Sequence, residues 1–246
     1  MATCLQFALS NPVPGQEDAF NHWYGTEHLI HGVLTPGVLA GQRFHRVEGP
    51  WPSGKHDYLM IWEIDDPAVA LAQLAQVKGT DAMPISPSID MATVQPPTMW
   101  RRAKVRSAAR IAIDTSERKT VVLMLANAAA GAGEAFADAL LRGGLTELAD
   151  LSGVISSEFL TLADEQIRGN ARKYAYALLL ELHDEGQALA MLADRLPGLP
   201  HLDRERWLAA VFRPIGHRLS TAEARRVRAK DIAEAAERAR RPEGMP

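Results

Sequence analysis

The sequence holds one cysteine, Cys4, in 246 residues. An internal disulfide is excluded, and the chain suits a reducing compartment; a cytoplasmic protein is expected. Excess charge is also scarce. Lys and Arg number 27 against 30 Asp and Glu, a net charge of -3, too little to gather nucleic acid or to coat an anionic membrane. No apolar run approaches the roughly 20 residues of a membrane-spanning helix. The opening "MATCLQFALSNPVPGQ" lacks a charged leader and reads as an early strand. There is no glycine-rich phosphate loop: "AAAGAGEAF" (128–136) lies between a strand and a helix but lacks the third glycine. A nucleophile elbow is missing as well.

What is present is the balance of a globular protein, 47% apolar and 23% charged. "CLQFALSN" reads as a strand, and "QEDAF" opens a helix with acidic residues where the helix dipole favours them. That helix should end near the second histidine or at Gly32, before the Pro36-Gly37 turn. "VLAGQRFHRVE" and "DYLMIWEI" read as strands, the second with Tyr58, Met60, Trp62 and Ile64 on one face. "DPAVALAQLAQV" has helical spacing, and "TMWRRAKV" closes a βαββαβ unit of the ferredoxin-like kind.

The second half repeats the order. "KTVVLMLANAA", "VISSEFLTLAD", "KYAYALLLELHD" and "RERWLAAVFRP" are strands, "GEAFADALLRGGLTELADLSG" is a helix interrupted at Gly143-Gly144, and "EGQALAMLADRL" is a second helix. "YLMIWEIDDPAVALAQLA" echoes "YALLLELHDEGQALAMLA", and "PGVLAGQRF" echoes "SGVISSEFL", so the chain reads as a tandem duplicate. The expected fold class is α+β: units at 1–104 and 119–219, a basic linker at 105–118, and a C-terminal charged helix and tail at 220–246. In that helix "STAE" fits a capping box, and apolar positions such as Val227 and Ile232 are sparse. Each unit has helices on one sheet face only. Two bare faces covering each other would form one α/β barrel, with a pocket expected between the sheets.

"HWYGTEHLIHG", His22 to Gly32, concentrates three of the eight histidines. On an uninterrupted helix Phe20, Trp23, Tyr24, Glu27, Ile30, His31 and Leu34 share a broad face, with His28 at its margin and His22 toward solvent. Gly25 weakens the helix by roughly 1 kcal/mol, and unwinding there would aim His28 at the barrel mouth. On β alternation Arg43 and His45 share one strand face, Gln42 and Phe44 the other, with the pocket side left open.

The segment 11–44, with Asn11-Pro12, Phe20, Trp23-Tyr24, His28, Leu34, Pro36-Gly37 and Gln42-Arg43-Phe44, resembles the opening of the EthD-like branch of the dimeric α/β-barrel superfamily. "YLMIWEIDDPAVAL" resembles that family's third strand and second helix; the specific likeness spans about residues 5–75. The resemblance implies a ligand cavity and catalysis by His, Tyr, Asp or Trp side chains without an organic cofactor. The chain departs from the family in carrying two units, and in having His31 where many relatives place an acidic or other polar group.

On this footing His28 is the expected proton-transfer residue, with Tyr24 or His45 stabilising an oxyanion. Trp23, His31, Arg43, Tyr58, Met60 and Trp62 are the expected substrate-binding residues, and core packing is the bland alternative for each. The expected function is a cofactor-independent lyase, isomerase or cyclase acting on a hydrophobic aromatic or polyketide-like molecule. Cofactor-free monooxygenation and a non-catalytic binding role are the alternatives. No metal site is expected, because the spacing of His28, His31 and His45 matches no strong signature. No nucleic-acid or membrane partner is expected either, and a homodimer is compatible with this reading. Aligning the halves sets Gly144 opposite His28, Glu147 opposite His31, Thr161 opposite His45 and Leu180 opposite Trp62. One working site built by residues 5–100 is therefore expected, with the second unit as lid and structural partner and residues 79–99 as a gating loop.

Overall fold

Eight of the nine strands close into a ring. The computed structural model of the chain describes residues 4–51, 54–114, 116–166 and 172–240; the tail expected beyond 240 and the side chain of Ile232 lie outside the described part. The first half contributes β1 (Cys4–Ser10), β2 (Val38–Val47), β3 (Tyr58–Ile64) and β4 (Thr98–Arg106), and the second β5 (Thr120–Ala128), β6 (Val154–Leu162), β7 (Tyr176–Leu182) and β8 (Leu202–Pro214). The halves have matching internal orders, β2-β3-β1-β4 and β6-β7-β5-β8, and β4–β6 and β2–β8 pairing joins them. Every pairing is antiparallel. A short β9 (Leu219–Ser220) hangs on β2 at Ala40 and Gly41.

The helices lie outside the ring: α1 (Glu17–Trp23), α2 (Leu29–Leu34), α3 (Pro67–Val77), α4 (Gly133–Ala139), α5 (Leu145–Ala149), α6 (Glu185–Arg195) and α7 (Thr221–Arg240). Local chemistry in the two halves is the same where the chain turns from strand to helix. Asp66 caps α3 by accepting from the Val69 amide at 3.0 Å, and Asp184 caps α6 by accepting from the Gln187 amide at 3.1 Å. Gly37 and Gly153 hold φ of +85° and +84°, and a Cβ there would lie 2.6 Å from the Asp66 carbonyl and 2.4 Å from the Asp184 carbonyl. Only glycine satisfies both demands. At α7 the capping box forms as expected, with the Ser220 amide donating to Glu223 Oε2 at 2.8 Å and the Glu223 amide to Ser220 Oγ at 3.3 Å. Thr221 then donates from its hydroxyl to the Val38 and Leu39 carbonyls, and Ala224 is fully buried, which pins the start of α7 to the first half. Among the described residues no helix is long and apolar enough to cross a membrane.

Strand alternation decides what fills the ring. Leu5, Phe7 and Leu9 of β1, Phe44, Leu59, Ile61, Met99, Val121, Leu123, Leu125, Leu160, Leu179 and Phe212 point inward and form one packed cluster. Each such side chain contributes roughly 1.5–3 kcal/mol on burial. The expectation of a pocket between the sheets is therefore corrected: apolar side chains from both halves occupy the space. The alternate positions, Tyr58, Met60, Trp62 and Ile64 among them, face the helices in a second cluster with Phe20, Trp23, Tyr24 and Val33.

One end of the ring is closed by charge. Glu158, on β6 and fully buried, accepts from Arg101 Nε at 2.7 Å and Arg118 Nη1 at 2.8 Å, and lies 3.0 Å from Lys104 Nζ. Burial alone would raise the Glu158 carboxyl, but Arg118, Lys104 and Arg101 together hold it well below the ordinary carboxylate range. Gln42 on the facing strand accepts from the Arg118 amide at 2.9 Å and donates to its carbonyl at 3.0 Å. Glu63 takes two hydrogen bonds from Arg218, at 2.9 and 2.8 Å. Arg118, expected as part of a basic linker, is thus a buried counter-ion. Replacing Glu158 by Ala removes the buried carboxylate on which Arg101 and Arg118 both donate, and urea unfolding should show a loss of about 3–5 kcal/mol; a loss below about 1 kcal/mol would show that water screens this end of the ring.

Candidate functional site

Between α1 and α2 the helix widens into a π-helical turn, Tyr24–His28, which contains Gly25. The widened turn inserts one residue into the helical phase. The buried stripe consequently runs Phe20, Trp23 and Tyr24, then Gly32 and Val33, while Glu27 is exposed and His31 only half buried. A regular helix, as assumed from the sequence, puts Glu27 and His31 on that stripe; with the inserted residue Glu27 leaves it, and His28, half buried, lies beside it with its ring against Trp23 and Tyr24. The helix also runs past Gly32 to Leu34. At the equivalent place in the second half, Leu140–Gly144, the site of the expected interruption, the helix is kinked: Gly143 is non-helical, with φ of 163° and ψ of -29°, and the alignment that places Gly144 opposite His28 sets this kink against the π-helical turn of the first half.

His28 stands in an aromatic box. Its ring stacks on Trp23 at 4.6 Å and 27°, meets Tyr24 edge-on at 4.8 Å, and lies 6.1 Å from Trp62. The Trp62 indole is laid flat by two glycines: a Cβ on Gly32 would come 2.2 Å from Trp62 Cη2, and one on Gly41 would come 2.9 Å from Cε3. His28, Tyr24, Gly32 and Trp62 form one wall of a recess between the outer sheet face and the helices. Gln6, Ala8 and Ser10 form its floor, and Lys78, Met83, Ile89, Val94 and Pro96 its cover. The free volume is about 50 Å³, room for one or two waters. Two atoms of the box are buried without a hydrogen-bond partner, His28 Nδ1 and Trp23 Nε1. Left without a partner, each such group costs about 1–3 kcal/mol, so each is a position where a water or a ligand would be held.

Charge is arranged around the box. Arg43 Cζ sits 4.5 Å from the centre of the Tyr24 ring, and its guanidinium donates to Asn21 O at 3.2 Å and Asn21 Oδ1 at 2.8 Å. Burial pushes the Tyr24 hydroxyl up to about 12, with Arg43 partly opposing it, so the phenol is a proton donor at neutral pH. Burial, followed by the charges of Lys78, His31 and Arg43, lowers His28 to about 3. The imidazole is neutral in the free protein, not poised near neutrality.

The remaining expected site residues divide. Trp62 lines the recess, and Trp23 acts through its stack on His28. Arg43, Tyr58 and Met60 share the recess side of the sheet without lining it. Tyr58 donates to Glu17 and accepts from Asn21 Nδ2 at 3.1 Å. His45 packs edge-on against Tyr58 at 4.9 Å, away from His28, so it does not share the recess. His31 turns to a separate shallow depression bounded by Thr35, Gln73 and Arg228. Among the described residues no cluster of His, Cys, Asp or Glu is placed to hold a metal. The expected contrast between the halves needs amending too: the larger cavity, about 420 Å³, lies in the second half, at Leu140, Gly144, Leu148, Leu151 and Leu199. Lys78 and Met83 escaped the sequence reading; the only sign of them was their place at the start of the proline-rich loop.

No family model matches the sequence, and no curated protein matches it. Solved structures match by fold. An anthrone oxidase-like protein is 10% identical and superposes with a TM-score of 0.67 over 91% of this chain and 97% of its own. A candidate monooxygenase from Fusobacterium nucleatum subsp. nucleatum is 9% identical, at 0.57 over 88% and 94%. One from Lactobacillus acidophilus is 8% identical, at 0.54 over 90% and 97%. At these identities the likeness is one of fold: an antiparallel ring of strands with helices outside it, built from two similar halves in one chain.

The histidine's lowered pKa has a measurable consequence. An unfolded chain binds a proton on His28 near its ordinary 6.5 while the folded one resists until about 3, so stability falls as pH drops through that window. In His28→Phe this component is absent. Melting temperatures taken from about pH 7 to about pH 4 should decline less steeply for the variant than for the wild type; equal slopes would mean that the ring protonates freely in the fold.

Proposed function

We propose that the chain is an enzyme that removes a proton from a flat, hydroxylated aromatic molecule held in the His28 recess, without an organic cofactor. The observation that carries this reading is the buried, unpartnered Nδ1 of a neutral histidine in the wall of an aromatic recess. A neutral imidazole accepts a proton from a substrate O–H or acidic C–H. The anion so formed lies beside the new imidazolium and offsets the burial that otherwise keeps His28 neutral. Tyr24, protonated and backed by Arg43, supplies a hydrogen bond to the developing oxyanion. The apolar walls suit an aromatic or polyketide-like skeleton. The motif from Asn11 to Phe44 supports an origin in the EthD-like branch. Isomerisation, cyclisation or loss of a leaving group can each follow the same first step.

A second reading is favoured by the names of the structural relatives, an anthrone oxidase-like protein and candidate monooxygenases. In it the deprotonated aromatic is electron-rich enough to react with dioxygen directly. Both readings need His28. Reactions with a panel of hydroxylated aromatic ketones, run with and without oxygen and followed by mass spectrometry, should yield a product whose rate falls about 10²–10⁴-fold in His28→Gln. Product formation that needs oxygen selects the second reading. A rate unchanged in His28→Gln overturns the base role, and binding without turnover by the wild type makes the chain a carrier and not an enzyme.

A further inference from the structure

In the second half an opening stands ready without any side chain having to move. A cavity of about 420 Å³ lies between the turn at Leu140–Gly144, helix α5 and the C-terminal end of α6. That volume falls within the roughly 300–1,000 Å³ of small-molecule sites. Its floor is aliphatic. Leu140, Leu148 and Leu151 belong to the core cluster of this half, and Leu199 packs against that cluster from the loop after α6. Among the described residues no aromatic side chain lines the space. Ala139, Leu140 and Gly144 line it at positions where the alignment of the halves sets Trp23, Tyr24 and His28.

The rim is charged, and most of that charge is negative. Glu147, Asp194 and Arg195 are exposed there, and among the described residues none of the three side chains has a hydrogen-bond or ion-pair partner. The backbone adds to the negative potential. A helix end leaves its last carbonyls unanswered, and Pro197 has no amide to offer the Ala193 carbonyl. The Trp51 indole donates to that carbonyl instead, at 3.4 Å. The Leu196 amide then donates to the Leu192 carbonyl at 3.1 Å and the Leu199 amide to the Leu196 carbonyl at 3.3 Å. Among the described residues this leaves the Asp194 and Arg195 carbonyls with no backbone amide. Both lie close to Gly198 in the cavity wall, 3.2 and 3.6 Å from the place of a Cβ there. The negative end of the α6 dipole therefore meets the cavity on the side of Asp194.

We propose that this cavity is a second binding site, separate from the His28 recess, and that it takes a compact apolar organic cation. The hydrocarbon body rests on the four leucines, and the ammonium group lies toward Glu147, Asp194 and the end of α6. Apolar walls alone would hold a neutral molecule of the same shape as well; the two carboxylates and the free carbonyls set the sign. Arg195 is the one opposing charge on the rim, and its exposed, long side chain can turn to solvent. A carboxylate ligand meets two like charges and one unlike. The site does not depend on any reaction at His28.

The test titrates the full chain with three compounds of one skeleton, adamantan-1-amine, adamantan-1-ol and adamantane-1-carboxylate, by isothermal calorimetry at neutral pH. Wild type should bind the protonated amine about threefold or more tightly than the alcohol, as exposed charge pairs provide, and the carboxylate most weakly. In the double variant Glu147→Gln, Asp194→Asn that order should collapse while affinity for the alcohol stays within about twofold. These two side chains are exposed and unpaired, so their neutral counterparts fold as the wild type does. Leu199→Trp, which puts an indole into the cavity from its half-buried edge, should weaken all three compounds about tenfold. Equal affinities in the wild type, a preference for the amine that survives in the double variant, binding undiminished in Leu199→Trp, or no binding of any compound would each overturn the proposal.

Discussion

A four-stranded sheet with helices on one side has a second apolar face, and everything else in this molecule follows from covering it. The two halves cover each other. Phe7, Phe44, Ile61, Leu123, Leu179 and Phe212 meet inside the ring and leave no room there. Because the ring is full, any site for a small molecule has to lie outside it, between sheet and helices, where the strands show their alternate residues. That is where His28, Tyr24 and Trp62 meet. The same closure brings Arg101 and Arg118 to Glu158, and Gln42 to the backbone of Arg118, from separate parts of the chain, so the ionic end of the ring forms only when both halves are in place.

Much of this was legible in the sequence. Two-residue alternation in "YLMIWEI" and the echo "YALLLEL" set strand positions and faces, and the shared turn glycines Gly37 and Gly153 fixed the alignment of the halves. What the sequence hid has specific causes. Periodicity cannot register one inserted residue, so the π-helical turn took Glu27 off the buried face and put Gly32 on it. Alternation separates two faces without saying which one meets a neighbour; the inward side was decided by pairing at β4–β6 and β2–β8, contacts between distant parts of the chain. Glu158 and Glu181 inside apolar strands were the available sign of a buried ionic network, and their partners in the linker could not be named from spacing.

The break between two helices recurs at the same place in both halves, as a π-helical turn ending in His28 in the first and as a kink at Gly143 in the second. What distinguishes the first half is the set of side chains placed on that scaffold: His28, Trp23, Tyr24 and Trp62 where the second half has Gly144, Ala139, Leu140 and Leu180.

The packing of Trp62 on Gly32 bears on how such a chain persists. In the second half the same two places hold Leu180 and Leu148, so bulk is divided evenly there and given wholly to one partner here. Copying the second half's residue into position 32 alone drives a leucine into the indole; copying it into position 62 alone leaves a void under the helix. Gene conversion between the repeats, which otherwise drives tandem copies toward one sequence, thus produces a damaged chain unless it transfers both positions at once. Thirty residues of separation make that rarer, and the asymmetry of the two halves is preserved by their packing.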